Sequence, residues 1–257
     1  MLIWIFITMT AFASAPGKVF RVVIDPGHGG TDHGTVFTDG NHSIAEKQIT
    51  LLLAQEAATQ LRAHGFDVVL TRTTDQGVPL PVRTAVANKL HADVFLSIHM
   101  NSTPSPLQRG MAKGFETYIL NNTTDAPSKR LAQIENSATE SQSDVALILK
   151  DLRLDANLGE SKRLACTIQK NLTSTTAPAQ KLNRGVKQAL FYVLLGADMP
   201  SVLIEAGFLN SLHDRSLVLA PQGQRAIGRA IAHAIEQFRD TKNSSKTFSE
   251  LSRCKVN

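Results

Sequence analysis

The residues Val19-Phe20-Arg21-Val22-Val23-Ile24, followed at once by Asp25-Pro26-Gly27, constrain the fold more than any other stretch of the chain. A short β-branched apolar run stopped by a proline-glycine turn reads as a buried strand. The pattern recurs, predicting strands at 66–71, 93–99, 115–120 and 202–205. Helical spacing fills the intervals. Leu53, Ala54, Ala57, Ala58 and Leu61 mark one face of a helix from Ser43 to about Gly65, and 81–91 reads as a shorter helix. Ile227, Ile231, Ile235 and Phe238 stripe a last helix over 221–238. Short apolar strands alternating with helices predict an α/β fold, a twisted and mostly parallel sheet flanked by helices on both faces. Chemistry in such a sheet belongs at the carboxyl ends of the strands.

Three segments depart from this pattern. Residues 1–15, MLIWIFITMTAFASA, carry no charge and hold an apolar run shorter than the roughly 20 residues that span a bilayer. With small residues at their end they read as a secretory signal, cut after Ala13 or Ala15, and no membrane span is expected once it is removed. Residues 16–238 then make one domain. Within it, from Asn121 to about Lys181, there is no strand signal, only polar and helical sequence over 128–138 and 144–172. That is long for a plain connection, so 121–160 is expected to be a helical insertion with a role of its own. Residues 239–257 read as a polar, flexible tail.

Charge and cysteine content narrow the function classes. The net charge is +5, but five basic residues against two acidic ones in 239–257 account for three of those charges. The domain itself is close to neutral, and no nucleic-acid partner is expected. Two cysteines exclude a disulfide framework and any thiolate-rich zinc site, so a metal must be held by nitrogen and oxygen. Cys166 and Cys254 either pair in an oxidising compartment or remain two thiols. Ser252-Arg253-Cys254-Lys255 matches the SxxK of penicillin-interacting serine enzymes, but Phe248 stands where KTG needs glycine. The match reads as chance.

Four polar residues sit where a purely structural pattern expects apolar ones. His28 lies in Gly27-His28-Gly29-Gly30 at the exit of the first strand, where glycines allow close backbone approach. A solvent-exposed turn histidine is the plainer alternative. Glu46 lies in Ser43-Ile44-Ala45-Glu46, a capping-box match with Ser43 as N-cap, yet it shares the helix face of Leu53. A carboxylate on that face needs a partner, and a metal is a good one. His99 ends the apolar strand in Ser97-Ile98-His99-Met100-Asn101, and a satisfied core histidine is its plainer reading. Two histidines and one carboxylate match the donor set of a catalytic zinc site with a fourth position open. Glu205, ending Val202-Leu203-Ile204 just before Gly207, is the candidate proton shuttle; pairing with an arginine is the alternative.

The runs VVIDPGHGG, SIAEK, the arginines Arg72 and Arg83, SIHMNS, GFETYIL, NRGVKQALFYVL and MPSVLIEAGFLN occur in order between Val19 and Phe238. Together they resemble the zinc-dependent N-acetylmuramoyl-L-alanine amidases of the amidase-3 family, of the bacterial cell-division type. The resemblance implies one Zn2+ per chain held by His28, Glu46 and His99, with Glu205 as the catalytic glutamate. It implies hydrolysis of the amide between N-acetylmuramic acid and L-alanine in peptidoglycan, for wall remodelling or separation at cell division. It also gives the insertion a meaning: an autoinhibitory segment in which Glu135, or else Glu140, blocks the metal until an activator protein docks there. The apolar residues Ile148, Leu149, Leu152 and Leu154 are the candidate docking surface. Export to the periplasm follows from the same resemblance. Two other functions share these residues: a zinc peptidase cutting the stem peptide, and a catalytically silent wall-binding protein.

Overall fold

A computed structural model describes residues 19–40, 42–103, 112–138, 157–175, 182–241 and 254–256. In chain order the elements are β1 (Arg21–Pro26), β2 (Val36–Asp39), β3 (His42–Ala45), α1 (Glu46–Ala63), β4 (Asp67–Leu70), α2 (Leu80–Lys89), β5 (Val94–Asn101), β6 (Phe115–Leu120) and α3 (Ala126–Glu135). Then come α4 (Leu158–Thr175), β7 (Asn183–Ala189), β8 (Ser201–Phe208), α5 (Leu212–Leu219) and α6 (Pro221–Thr241). Six strands form one sheet in the order β4-β1-β5-β8-β6-β7. β4, β1, β5 and β8 are parallel, while β6 runs antiparallel to β8 and carries β7 parallel to itself. The expected mostly parallel α/β sheet is borne out.

Strand periodicity divides the core in two. Val22 and Ile24 face one side of β1, where they join Ile49, Leu53 and Leu61 of α1, Leu164 and Ile168 of α4, and Ile227 and Ile231 of α6. Val23 faces the other side with Phe95, Leu203, Ala87 of α2 and Leu131 of α3. Helices on both faces make both sides of β1 apolar, so its sequence is a continuous hydrophobic run rather than an alternation.

The observed elements differ from the sequence reading in three places. Ser43, expected to cap α1, lies in β3 opposite Thr38, because the hairpin with β2 continues to the Val36–Ala45 pair. α1 therefore starts at Glu46, and the amide of Ala45 donates to Gln48 Oε1 at 3.2 Å. Glu46 is left without a capping duty. β7 went unpredicted because Asn183-Arg184-Gly185-Val186-Lys187-Gln188-Ala189 has no apolar run, as befits a strand at the rim of a sheet. α5 was missed as well, with Ser211 as its N-cap accepting from the amide of Asp214.

Cys166 of α4 and Cys254 form a disulfide, and Val256 makes a parallel bridge to Val186 of β7. Part of the polar tail is thus tied to the domain. Among the described residues, no helix is long and apolar enough to cross a membrane. The signal at 1–15, Glu140, the apolar residues 148–154 and Ser252 of the SxxK match lie outside the described residues.

Candidate active site

The site forms where β1, β5 and β8 end. Beyond Pro26 the chain turns through Gly27, and His28 adopts a φ of 61°, a left-handed conformation that costs a non-glycine residue about 1–3 kcal/mol unless its surroundings impose it. Two buried arginines do so. Arg72 donates to the carbonyls of Pro26 (3.0 Å) and Gly27 (2.8 Å), and Arg83 to those of Pro26 (3.0 Å) and His28 (3.1 Å). Arg83 also donates to Asp25 Oδ1 at 2.8 Å. Burial raises the pKa of the Asp25 carboxyl, but Arg83 and the hydroxyls of Thr71 and Ser97 outweigh it and hold the group below the usual range. The glycine loop is rigid for these reasons. A Cβ at Gly27 would lie 2.4 Å from the His99 imidazole, and one at Gly34 (φ +61°) would lie 2.6 Å from His28 and 2.7 Å from Glu46. Only glycine fits either position.

His28 and His99 meet edge to face with ring centroids 4.8 Å apart. Asp32 Oδ2 lies 2.9 Å from His28 Nδ1, which turns Nε2 inward, the usual arrangement for an orienting carboxylate. That Nε2 is 3.1 Å from Glu46 Oε1 and 3.3 Å from Glu135 Oε2. His99 Nδ1 is 3.2 Å from Glu46 Oε1 and 2.9 Å from Glu135 Oε2. The Glu46 carboxylate is fully buried and fixed by two backbone amides, Met100 N on Oε1 (2.8 Å) and Thr35 N on Oε2 (2.9 Å). His28, Glu46, His99 and Glu135 each present one ligand atom, all within 4.8 Å of one another.

Burial lowers the pKa of both imidazoles, yet the carboxylate charges prevail. Glu46, with Asp32 and Glu135, raises that of His28, and Glu135 with Glu46 pushes His99 up to about 10. Despite the short approaches, His28 Nε2, His99 Nδ1 and Glu135 Oε2 are buried without a hydrogen-bond partner. Orphaned buried polar atoms are costly, and three converging on one point, with Glu46 beside them, fit a divalent cation with nitrogen and oxygen ligands.

Glu205 lies in β8 in register with His99 of β5 on one side and Glu116 of β6 on the other. Its side chain is fully buried, and neither carboxylate oxygen has a hydrogen-bond partner among the described residues. Burial first, then the charge of Glu135, raises its pKa well above the usual carboxyl range, while His99 opposes the shift. The arginine pairing open to it from sequence is absent among the described residues.

Glu135 ends α3. Asp125 caps the start of that helix by accepting from Ser128 N at 2.9 Å, and Leu131 and Ala132 pack against the sheet. Just beyond Glu135, Asn136 donates to Leu190 O (2.7 Å) and accepts from Tyr192 N (2.8 Å), which fastens the end of the helix. A carboxylate at a helix C-terminus opposes the macrodipole, so this placement calls for positive charge in front of it. The two imidazoles occupy that place.

Several site residues escaped the sequence reading. Asp32, four residues after His28, is a local signal that could have been read. The positioning duties of Arg72 and Arg83, and Asn136, depend on contacts across tens of residues. A second group, His64, His233 and Glu236, also brings ligand atoms within 4.8 Å of one another, but on the surface.

Residues 22–237 match the family model for N-acetylmuramoyl-L-alanine amidase. The chain is 33% identical over 230 residues to N-acetylmuramoyl-L-alanine amidase AmiC of Neisseria meningitidis, covering 86% of this chain and 53% of that relative. It is 31% identical over 236 residues to N-acetylmuramoyl-L-alanine amidase AmiA of Escherichia coli, covering 89% of this chain and 79% of the relative. The chain thus spans about half of the first relative and about four fifths of the second. The fold is similar to the crystal structure of N-acetylmuramoyl-L-alanine amidase from Clostridium difficile 630, with a TM-score of 0.67 and 29% identity over 88% of this chain and all of that one.

Proposed function

The chain belongs to the N-acetylmuramoyl-L-alanine amidases, hydrolases that act on peptidoglycan, and from that premise we propose a zinc-dependent enzyme of wall remodelling at cell division. The observation that carries this reading is the convergence of His28 Nε2, His99 Nδ1 and the Glu46 carboxylate on one buried point with no partner for either nitrogen. These three residues would hold a single Zn2+. Zinc bound there supplies a Lewis acid for the scissile carbonyl and acidifies a water. Glu205 accepts the proton that the attacking water gives up and returns it to the amine of L-alanine as the amide breaks, one carboxyl serving as base and then acid. Its burial without a hydrogen-bond partner suits a group that must gain and lose a proton. Asp32 and the two backbone amides on Glu46 orient the ligands and do no chemistry themselves.

Glu135 makes this state the closed one. Its carboxylate lies 3.3 Å from His28 Nε2 and 2.9 Å from His99 Nδ1, so it takes the fourth position of the cluster, and on this reading α3 moves before turnover. The partner this implies is an activator protein that draws the insertion away. Export to the periplasm accords with the Cys166–Cys254 disulfide, since such bonds persist in oxidising compartments.

Incubation of the purified protein with sacculi, with and without a chelator, tests the reading. The expected products are stem peptides with a free L-alanine amine and glycan with intact muramic acid, formed only without chelator. Cleavage within the stem peptide would make the protein a zinc peptidase. Absence of both cleavage and bound zinc would make it a wall-binding protein.

A further inference from the structure

His28 is oriented by Asp32 and Glu46 by two backbone amides, but neither oxygen of Glu205 has a hydrogen-bond partner among the described residues. The aim of its carboxyl group is therefore set by packing and by the backbone of β8. That backbone is irregular just beyond it. β8 pairs with β5 as His99 with Glu205 and then Asn101 with Phe208, so three steps along β8 match two along β5. This is a β-bulge, a device that bends a strand and re-aims its side chains. Gly207 lies within it at a φ of +124°, which suits glycine alone. On the other side of β8, the pairing with β6 runs only as far as Glu205, opposite Glu116.

Asp214, in the first turn of α5, closes this gap. It is buried, and its Oδ2 accepts from the amides of Phe208 (2.9 Å) and Gly114 (2.8 Å), one at the end of β8 and one just before β6. The carboxylate thereby spans the two strands beyond the point where their ladder stops. Helix capping does not account for this. Ser211-Leu212-His213-Asp214 has the spacing of a capping box, in which Asp214 would accept from the amide of Ser211. That amide donates instead to the carbonyl of Phe208 (2.9 Å), and Asp214 turns its acceptor to the strands. Burying a carboxylate is costly, and two charge-assisted bonds, with His213 Nδ1 at 2.9 Å from Oδ1, offset the cost. Gly207 belongs to the same contact, since a Cβ there would lie 2.8 Å from the Cβ of Asp214.

We propose that Asp214 is a positioning residue for the hydrolysis: by joining Phe208 to Gly114 it fixes the bulge after Glu205 and so keeps that carboxyl group aimed at the metal cluster. The proposal rests on the amidase reading, with Glu205 as the proton shuttle. None of the groups that make this splint belongs to α3, so it does not depend on the closed position of that helix. A merely structural Asp214 would support the fold without acting through Glu205. The two roles differ in what a second substitution at Glu205 does.

The test is a double-mutant cycle on muropeptide turnover by the full-length protein. Asp214→Ala is expected to lower kcat by about 10²-fold, the scale of a misplacement of about 1 Å, with KM and zinc content unchanged. In Asp214→Asn, whose amide oxygen can accept from both backbone amides, most of the rate returns. In the Glu205→Gln background Asp214→Ala costs nothing further, because the group it aims is already gone. An unchanged kcat, an equal loss in both backgrounds, or a loss that falls on KM or zinc content would overturn the proposal. If a circular dichroism melt shows that Asp214→Ala does not fold, Gly207→Ala, which pushes on the same contact from β8, takes its place in the cycle. Failure of both to fold would leave Asp214 a role in stability alone and overturn the proposal. If the wild type cleaves no muropeptide, the amidase reading is what fails. Crystal structures of wild type and Asp214→Ala then decide the splint: a Glu205 displaced from its place beside His99 supports it, and an unmoved Glu205 overturns it.

Discussion

Two groups of histidine and glutamate occur among the described residues, and they differ in almost everything except composition. His28, Glu46, His99 and Glu135 are all buried, and three of their polar atoms lack a hydrogen-bond partner. His64, His233 and Glu236 lie at the surface. There Glu236 is 3.5 Å from His64 and 3.7 Å from His233, and Arg239 competes for the same carboxylate at 3.9 Å. In the first group two backbone amides and Asp32 fix the ligands before any ion arrives. In the second, among the described residues, the side chains are met only by one another and by Arg239. Donor type alone therefore does not make a metal site. Burial with unmet demand for charge does, because there the ion replaces a cost instead of competing with solvent.

The largest expected effect lies at Glu205. Glu205→Gln is expected to retain zinc and lose about 10²- to 10⁴-fold in kcat on muropeptides, the usual range for removing a general acid-base group. Near-normal turnover would remove Glu205 from the mechanism. Metal analysis tests the contrast itself. Wild type is expected to carry one zinc per chain, His99→Ala close to none, and the double variant His64→Ala/His233→Ala still one. Two zinc ions per wild-type chain would erase the distinction between the groups. Glu135→Ala should raise the basal rate on sacculi by about tenfold, within the ordinary range of a coupling between two states. A rate that stays the same or falls would mean that Glu135 does not hold the site closed. The smallest effect belongs to the surface group, where the double variant should shift urea-unfolding stability by no more than about 0.5 kcal/mol. A larger loss would reveal a packing role for those histidines.

Most of the sheet could be read from sequence because β1, β5 and β8 are buried on both faces and so are written in apolar residues. β7 could not, since a strand at the rim has little apolar content to display. His28, Glu46, His99 and Glu205 stood out as polar residues at the ends of apolar segments, and they lie together in space. Ser43 does not cap the helix because the capping motif is local, whereas the β2–β3 pairing draws Ser43 into a strand. Arg72 and Arg83 were visible as arginines, but not as the clamps on a left-handed His28. That duty depends on contacts 45 to 58 residues away in sequence, which no local pattern encodes.

The bridge from Val256 to Val186 has a consequence for how the molecule meets its neighbours. β7 is the last strand of the sheet, and an open outer rim offers its unpaired amides and carbonyls to any extended chain nearby. Here the polypeptide supplies its own short strip to that rim, and Cys254 fastens the strip to α4. Self-association by strand addition is thereby discouraged on the side of the sheet that carries Arg184 and Lys187. Reducing conditions, by releasing the strip, would make crowding and clumping a property of this enzyme that the oxidised protein does not share.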